Sequence, residues 1–116
     1  MARVLVVEDE VLIAMLIEDW LGELGHEAVG PAASVAEGLK LLEAGGIDAA
    51  LLDVNLGTER SDPIAEALAA RKIPFAVMTG GMSDTLDPRF AAQPTLLKPF
   101  RFEAVGTVMD TLLNGT

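Results

Sequence analysis

The chain has 116 residues, of which 51% are hydrophobic and 4% aromatic, so we expect one domain with a core built mainly from aliphatic side chains. Eight Lys and Arg against eighteen Asp and Glu give a formal net charge of −10, which argues against nucleic acid as a partner, because phosphate backbones need a basic surface. The chain contains no cysteine, which excludes disulfides. It has no signal-peptide pattern and no apolar run near the ~20 residues of a membrane span, which predicts a cytoplasmic protein.

Strand-like and helix-like segments alternate from the first residues onward. The pattern predicts strands at 3–7 and 27–30, with a helix at 11–24 between them. Gly25 is suited to end the helix, and Gly30–Pro31 to end the second strand. Apolar residues recur at helical spacing in this helix and are interpreted as core residues: Leu12, Met15, Leu16, Trp20 and Leu24.

The rest of the chain continues the alternation. The remaining elements are predicted as a helix at 35–44, a strand at 48–53, a helix at 63–72, strands at 74–79 and 95–98, and a helix at 101–113. Ser34 with Glu37 forms a capping box for the first of these helices, and Asp62 is predicted as the N-cap of the next. The segment 82–94 ends at Pro94 and leaves room for only a short or irregular helix.

Five successive β-α units predict an α/β fold, a single doubly wound sheet of five parallel strands. Helices should cover both faces, because right-handed β-α-β crossovers need a covering layer. The strands at 3–7 and 48–53 contain apolar runs without alternation, as strands buried on both faces should. No repeat, low-complexity tract or linker interrupts the chain, so we expect one domain over 1–116 and no output domain.

Polar side chains stand at the carboxyl ends of the predicted strands. Glu8 and Asp9 follow the first strand, Asp53 ends the third, Thr79 the fourth and Lys98 the fifth. The carboxyl ends of parallel strands meet at one edge of the sheet, where ligands bind. Three carboxylates, a hydroxyl and an ammonium at this edge can hold a divalent cation and a phosphoryl group together, and oxygen ligands are those that Mg²⁺ prefers.

With these residues in this order, the chain resembles the receiver domain of response regulators in bacterial two-component signalling over essentially its whole length. The resemblance rests on Glu8–Asp9, Asp53, Thr79–Gly80 and Lys98–Pro99, which end four of the predicted strands. It implies a flavodoxin-like sheet with strand order 2-1-3-4-5 and a cis peptide bond between Lys98 and Pro99. It also implies phosphorelay signalling, in which the protein is a phosphoacceptor and not an enzyme acting on a separate substrate.

The resemblance assigns a role to each residue at this edge. Asp53 accepts a phosphoryl group from the phosphohistidine of a sensor histidine kinase or phosphotransfer protein. The cation, Mg²⁺ or Mn²⁺, is held by Glu8, Asp9, Asp53 and the backbone carbonyl of Asn55. The phosphoryl oxygens are bound by groups of Asn55, Thr79, Gly80 and Lys98.

Three positions depart from the usual receiver pattern. Gly57 and Ser61 stand where many receivers have a proline and a glycine after the acceptor. Thr95 stands three residues before the lysine, where receivers often carry a Tyr or Phe that moves inward on phosphorylation. The run 75–81 resembles a subgroup of often single-domain receivers with a Phe-Ala-Thr-Gly-like fourth strand, and it predicts that the loop at 80–94 rearranges instead.

Two other functions stay open. The first is a receiver-like adaptor that binds partners without being phosphorylated. The second is a metal-dependent phosphohydrolase, which is less well supported because Asp53-Val54-Asn55 offers no second carboxylate and the chain leaves no room for a substrate cap. The downstream protein partner is unknown. We expect a monomer, with dimerisation on phosphorylation left open, and we interpret the single histidine, His26, as a surface residue.

Overall fold

The computed structural model of the protein describes residues 2–80 and 93–114. The helices are α1 (Val11–Glu23), α2 (Val35–Glu43), α3 (Asp62–Ala70) and α4 (Phe102–Asn114). The strands are β1 (Arg3–Val7), β2 (Glu27–Ala32), β3 (Ala49–Asp53), β4 (Asn55–Leu56), β5 (Glu59–Arg60), β6 (Phe75–Thr79) and β7 (Thr95–Leu97). The short or irregular helix predicted within 82–94 falls almost wholly outside the described residues and stays a prediction.

Five strands form one parallel sheet in the order β2-β1-β3-β6-β7, which confirms the predicted flavodoxin-like order. The inner strands β3 and β6 are buried along their whole length, because helices cover both faces. On one face the core contains side chains of α2 and α3, and on the other it contains those of α1 and α4. None of the helices in the described ranges has the length and apolar character needed to cross a membrane.

Helix α1 buries a different face from the predicted one. Leu12, Met15 and Leu16 are 81%, 55% and 45% exposed, which contradicts their predicted place in the core. Trp20 and Leu24 are partly buried against the core. The fully buried side chains of this helix are Ala14, Ile17 and Leu21. The helix carries apolar residues on every side, so its sequence pattern does not single out one buried face.

Strand β2 continues through Gly30–Pro31 to Ala32, so the prediction that this pair ends the strand is wrong. The strand lies at the edge of the sheet, where a proline without an N–H group is tolerated. Gly30 adopts a φ of 104°, and the pairing with β1 shifts by one residue at this point. The carbonyl of Ala32 then accepts the Glu8 N–H at 3.0 Å, which fixes the chain just beyond β1.

The two helix-start predictions had different outcomes. Ser34 is the N-cap of α2 and accepts the Glu37 N–H at 3.1 Å, as predicted. The N-cap of α3 is Ser61, and Asp62 is already helical, so the prediction of Asp62 as N-cap is wrong. Asp62 instead forms an ion pair with Arg60 at 2.9 Å. The position of Ser61 is set by a contact with Val54, which no local sequence pattern encodes.

A short antiparallel hairpin, β4–β5, follows Asp53 and was not predicted. Its two-residue loop begins at Gly57, which has a φ of 64°. Glycine is favoured at this first loop position because a positive φ there suits the twist of a hairpin. Each strand contains only two residues, which is too short for an alternating pattern to be detected in the sequence.

Gly38 provides a test of the packing between α2 and α3, and Gly22 in α1 is the control. A Cβ atom added to Gly38 would lie 2.5 Å from Cδ1 of the buried Ile64, whereas one added to Gly22 in α1 would meet nothing within 4 Å. Gly38→Ala should therefore lower the free energy of unfolding by about 1–3 kcal/mol through overpacking. Gly22→Ala should raise it by about 0.5–1 kcal/mol through helix propensity.

Urea unfolding followed by circular dichroism measures both effects. Ile64→Val removes the methyl group that clashes, so Gly38→Ala should cost less in that background than in the unmodified protein. An equal cost in both backgrounds would show that contact with Ile64 is not the reason for the glycine.

Candidate functional site

The sheet brings four of the predicted polar residues together at its carboxyl edge. Glu8 follows β1, Asp53 is the last residue of β3, and Thr79 is the last residue of β6. These three side chains are among the few buried polar groups of the described residues, with 1%, 7% and 8% of their surface exposed. Lys98 directly follows β7, and its N–H donates to the Thr79 carbonyl at 2.8 Å. The Lys98–Pro99 peptide bond is cis.

The Lys98 ammonium lies between two of the buried carboxylates. Its Nζ donates to Asp53 Oδ2 at 3.2 Å. It also lies 3.0 Å from Glu8 Oε1, a contact between opposite charges that lacks the geometry of a hydrogen bond. The other Glu8 oxygen, Oε2, accepts the Glu10 N–H at 3.0 Å. One ammonium therefore neutralises part of the charge of two acids in a place where water is largely excluded.

Burial raises the pKa of the Glu8 carboxyl to about 7, from 4.5 for an exposed glutamate. The nearby Asp53 carboxylate and its negative charge act in the same direction, whereas the hydrogen bond from the Glu10 N–H and the contact with the Lys98 ammonium oppose them. Burial alone lowers the pKa of Lys98, but its contacts with the carboxylates of Glu8 and Asp53 outweigh burial and raise the pKa above its usual 10.5. Near neutral pH, Lys98 is thus charged and Glu8 is partly protonated.

The acidic residues of this edge are arranged as a set of metal ligands would be. Glu8, Asp9 and Asp53 each offer a carboxylate oxygen, and these oxygens lie within 4.8 Å of one another. Asp9 is exposed, whereas the other two are buried. Glu8 Oε1 is buried and accepts no hydrogen bond in the part of the chain that the structure describes. An all-oxygen donor set with one open side fits a hard cation such as Mg²⁺, which keeps several of its waters.

A cavity of about 310 Å³ opens beside these carboxylates. Its lining consists of Asp9, Glu10, Asp53, Asn55, Gly57, Gly80 and Lys98. The predicted residues Asn55 and Gly80 therefore line the same cavity as Asp53. A second, more apolar cavity of about 390 Å³ lies alongside and shares Glu10, Gly80 and Lys98 with the first. The smaller cavity is the candidate functional site, because it is lined by Asp53 and Asp9.

Sequence reasoning missed one contributor to this site. The chain just after Asp53 is held on both sides, since the Val54 N–H donates to the Met78 carbonyl at 3.2 Å and the Val54 carbonyl accepts from Ser61. Both the N–H and the hydroxyl of Ser61 donate to that carbonyl, each at 3.0 Å. The only sequence signal was that Ser61 departs from the receiver pattern, and it gave no indication of what the hydroxyl contacts.

Two other residues singled out in the sequence lie away from the site's centre. Thr95 is the first residue of β7, paired with Val77, and it is exposed with its hydroxyl donating to the Gln93 carbonyl at 3.3 Å. His26 lies before β2, at the opposite end of the sheet, and its Nδ1 accepts the Ala2 N–H at 3.2 Å. His26 is half-buried.

The response regulator receiver domain family matches residues 4–109. The transcriptional regulatory protein PdtaR of Mycobacterium tuberculosis is 34% identical over 102 residues, which cover 84% of this chain and 50% of PdtaR. The chain thus spans about half the length of this curated relative. The solution structure of SdrG from Sphingomonas melonis Fr1 is 52% identical, with a TM-score of 0.87 over 97% of both chains. The BeF3-activated conformation of SdrG from Pseudomonas melonis Fr1 is 53% identical, with a TM-score of 0.81 over 96% of this chain and 95% of that one.

These matches and the acidic edge of the sheet lead to one assignment: the chain belongs to the response regulator receiver domain family. The family resemblance predicted from four short motifs is thereby confirmed, as is the fold.

The raised pKa of Glu8 should make cation binding depend on pH. Below about pH 7 Glu8 carries a proton that a cation must displace, so Mg²⁺ affinity should rise as the pH increases towards 7 and level off above it. Isothermal titration calorimetry at a series of pH values measures this dependence. Glu8→Gln should flatten it, whereas Glu43→Gln, at an exposed carboxylate of α2, should leave it unchanged.

Without the cation, the same pKa shift acts on folding. The pKa of Glu8 in the folded state is above 4.5, so its contribution to the free energy of unfolding is full below pH 4.5 and is lost as the pH rises towards 7. Urea unfolding in EDTA should show this loss for the unmodified protein and for Glu43→Gln. The same loss in Glu8→Gln would contradict the assignment of the shift to Glu8.

Proposed function

We propose that this protein is a phosphoacceptor of two-component signalling, in which Asp53 receives a phosphoryl group from a phosphohistidine with the help of Mg²⁺. The observation that carries the proposal is the pairing of Lys98 Nζ with Asp53 Oδ2 at 3.2 Å, next to the carboxylates of Glu8 and Asp9. A nucleophilic carboxylate, a fixed positive charge and a set of oxygen ligands are the parts that phosphoryl transfer to an aspartate requires.

These positions support an in-line phosphoryl transfer. A carboxylate oxygen of Asp53 attacks phosphorus in line, an O–P bond forms, and the P–N bond to the donor imidazole breaks with its electron pair left on the ring nitrogen. Glu8, Asp9, Asp53 and the Asn55 carbonyl would hold Mg²⁺, and the ion would supply positive charge to offset the negative charge of the transferred group.

The remaining residues hold the transferred group. Lys98 exchanges its contact with Asp53 for one with a phosphoryl oxygen, as a point charge on a flexible stem. The Thr79 hydroxyl and the Gly80 N–H are the donors for another oxygen, and both residues lie at the same edge as Asp53. The absence of a side chain on Gly80 keeps the acceptor accessible to a donor protein.

The comparison with SdrG supports the same reaction. That protein has been solved in a BeF3-activated conformation. Beryllium trifluoride bound to a carboxylate has the shape and charge of a phosphoryl group. A relative of comparable length that responds to such a group supports the same type of activation in this chain.

Phosphorylation by a small donor tests the proposal directly. After incubation with acetyl phosphate and Mg²⁺, intact mass spectrometry should show one added phosphoryl group on the unmodified protein and none on Asp53→Asn. Asp48→Asn is the matched control, because Asp48 precedes the same strand at its opposite end and its carboxylate accepts the Arg3 N–H at 2.8 Å. Asp48→Asn should gain the group in full.

Two other results of the mass measurement would contradict the proposal. An equal mass gain in Asp53→Asn would place the acceptor elsewhere. No gain in the unmodified protein would favour the adaptor that binds partners without phosphorylation.

The exposed apolar face of α1 supports a protein donor. Val11, Leu12, Met15 and Leu16 are 45–81% exposed, and Leu16 also lines the apolar cavity next to Lys98. Contiguous apolar surface next to a reactive group is typical of a protein-binding site. We propose that the kinase or phosphotransfer protein docks on this face, which brings its phosphohistidine to Asp53.

A charge placed on this face should separate the two kinds of donor. Met15→Lys should slow transfer from any kinase or phosphotransfer protein that phosphorylates the unmodified chain by at least about fivefold, the equivalent of roughly 1 kcal/mol. It should leave phosphorylation by acetyl phosphate unchanged. Leu113→Lys, at the exposed end of α4, is the control. An equal effect of both substitutions on transfer would contradict docking on α1.

A further inference from the structure

The residues after Asp53 form a small closed unit. The hairpin β4–β5 leaves the sheet at Val54 and returns at Ser61, where α3 begins. Ser61 is fully buried, and its N–H and hydroxyl both donate to the Val54 carbonyl, each at 3.0 Å. The Val54 N–H is held by the Met78 carbonyl of the neighbouring strand at 3.2 Å. Both polar groups of the Val54 backbone are therefore bonded.

Ser61 occupies the N-cap of α3 but does not use its side chain as a cap. Its hydroxyl makes no capping hydrogen bond to the helix. Ser34, at the N-cap of α2, behaves in the usual way and accepts the Glu37 N–H at 3.1 Å. A serine at this position normally satisfies a free N–H of the first helical turn. The Ser61 hydroxyl makes no such bond to α3 and donates instead to the carbonyl of Val54, the residue after Asp53.

The Val54 carbonyl belongs to the peptide group that joins Val54 to Asn55. With the orientation of this peptide fixed, rotation of the main chain on both sides is restricted. Asp53, whose carboxylate belongs to the site, precedes Val54. Asn55 follows Val54 and lines the cavity together with Asp9 and Gly57. The hydroxyl of Ser61 thus acts on two candidate ligands of the cation through one backbone carbonyl.

We infer that Ser61 is a positioning residue for the phosphoryl-acceptor site, and that its hydroxyl holds the Asp53–Asn55 segment in the geometry that binds the cation. This inference rests on the proposed function, because it concerns the same cation and the same acceptor. Ser61 does not line the cavity that contains Asp9 and Asp53, so its hydroxyl acts on the site through the Val54 carbonyl.

The test compares two N-cap serines. Ser61→Ala removes the hydroxyl that holds Val54 and leaves the N–H bond in place, whereas Ser34→Ala removes an ordinary cap. The dissociation constant for Mg²⁺ is measured by isothermal titration calorimetry on the full chain, and urea unfolding in EDTA records the stability of each variant. Groups that orient metal ligands typically contribute about 10–100-fold to metal affinity. Because one of two hydrogen bonds remains, Ser61→Ala should weaken Mg²⁺ binding by about three- to tenfold.

Ser34→Ala should lower stability and leave the Mg²⁺ dissociation constant unchanged. Phosphorylation by acetyl phosphate at a subsaturating Mg²⁺ concentration should slow in Ser61→Ala in proportion to its weaker binding. If the unmodified protein binds Mg²⁺ and both alanine variants bind it equally well, the role of Ser61 is refuted while the proposed function stands. If the unmodified protein binds no Mg²⁺, the proposed function fails and this inference fails with it.

Discussion

The structure depends on one arrangement of charges, the Lys98 ammonium between the buried carboxylates of Glu8 and Asp53. Lys98 follows β7, which is separated from β3 by β6, so its long side chain must reach past the end of β6 to meet Asp53. Its main chain is anchored for this by the bond to the Thr79 carbonyl at 2.8 Å. Two carboxylates buried side by side without such a counter-charge would oppose ionisation in each other.

The same arrangement leaves a negative charge at the site that a proton or a cation can offset. Three carboxylates face one ammonium, so the edge keeps an excess of negative charge whenever all three are ionised. Burial, reinforced by the nearby Asp53 carboxylate, raises the pKa of Glu8 to about 7, so that a proton on Glu8 can remove part of that excess. In the proposed function a divalent cation offsets the same excess, and its charge would favour binding of a negative phosphoryl group. A proton and a cation would then compete for Glu8, and phosphoryl binding would depend on the cation.

Much of the fold could be predicted from the sequence because its strands are apolar runs bounded by turn residues. Asp53 was placed at the ligand edge by the rule that parallel strands end together, and no distance information was needed. The errors arose where tertiary contacts decide the outcome. Helix α1 is apolar on every side, so Leu12 was assigned to the core although it lies in solvent. Asp62 had a good N-cap sequence, but the contact between Ser61 and Val54 sets the start of α3 one residue earlier.

If Asp53 accepts a phosphoryl group with the assistance of a cation and Lys98, it should also bind a mimic of that group. Fluorine NMR of the protein with beryllium fluoride and Mg²⁺ reports on a bound trifluoride at the acceptor carboxylate. We expect bound fluorine resonances that require Mg²⁺ and are lost in Asp53→Asn. Bound resonances that persist in Asp53→Asn, or their absence from the unmodified protein at saturating Mg²⁺, would contradict it.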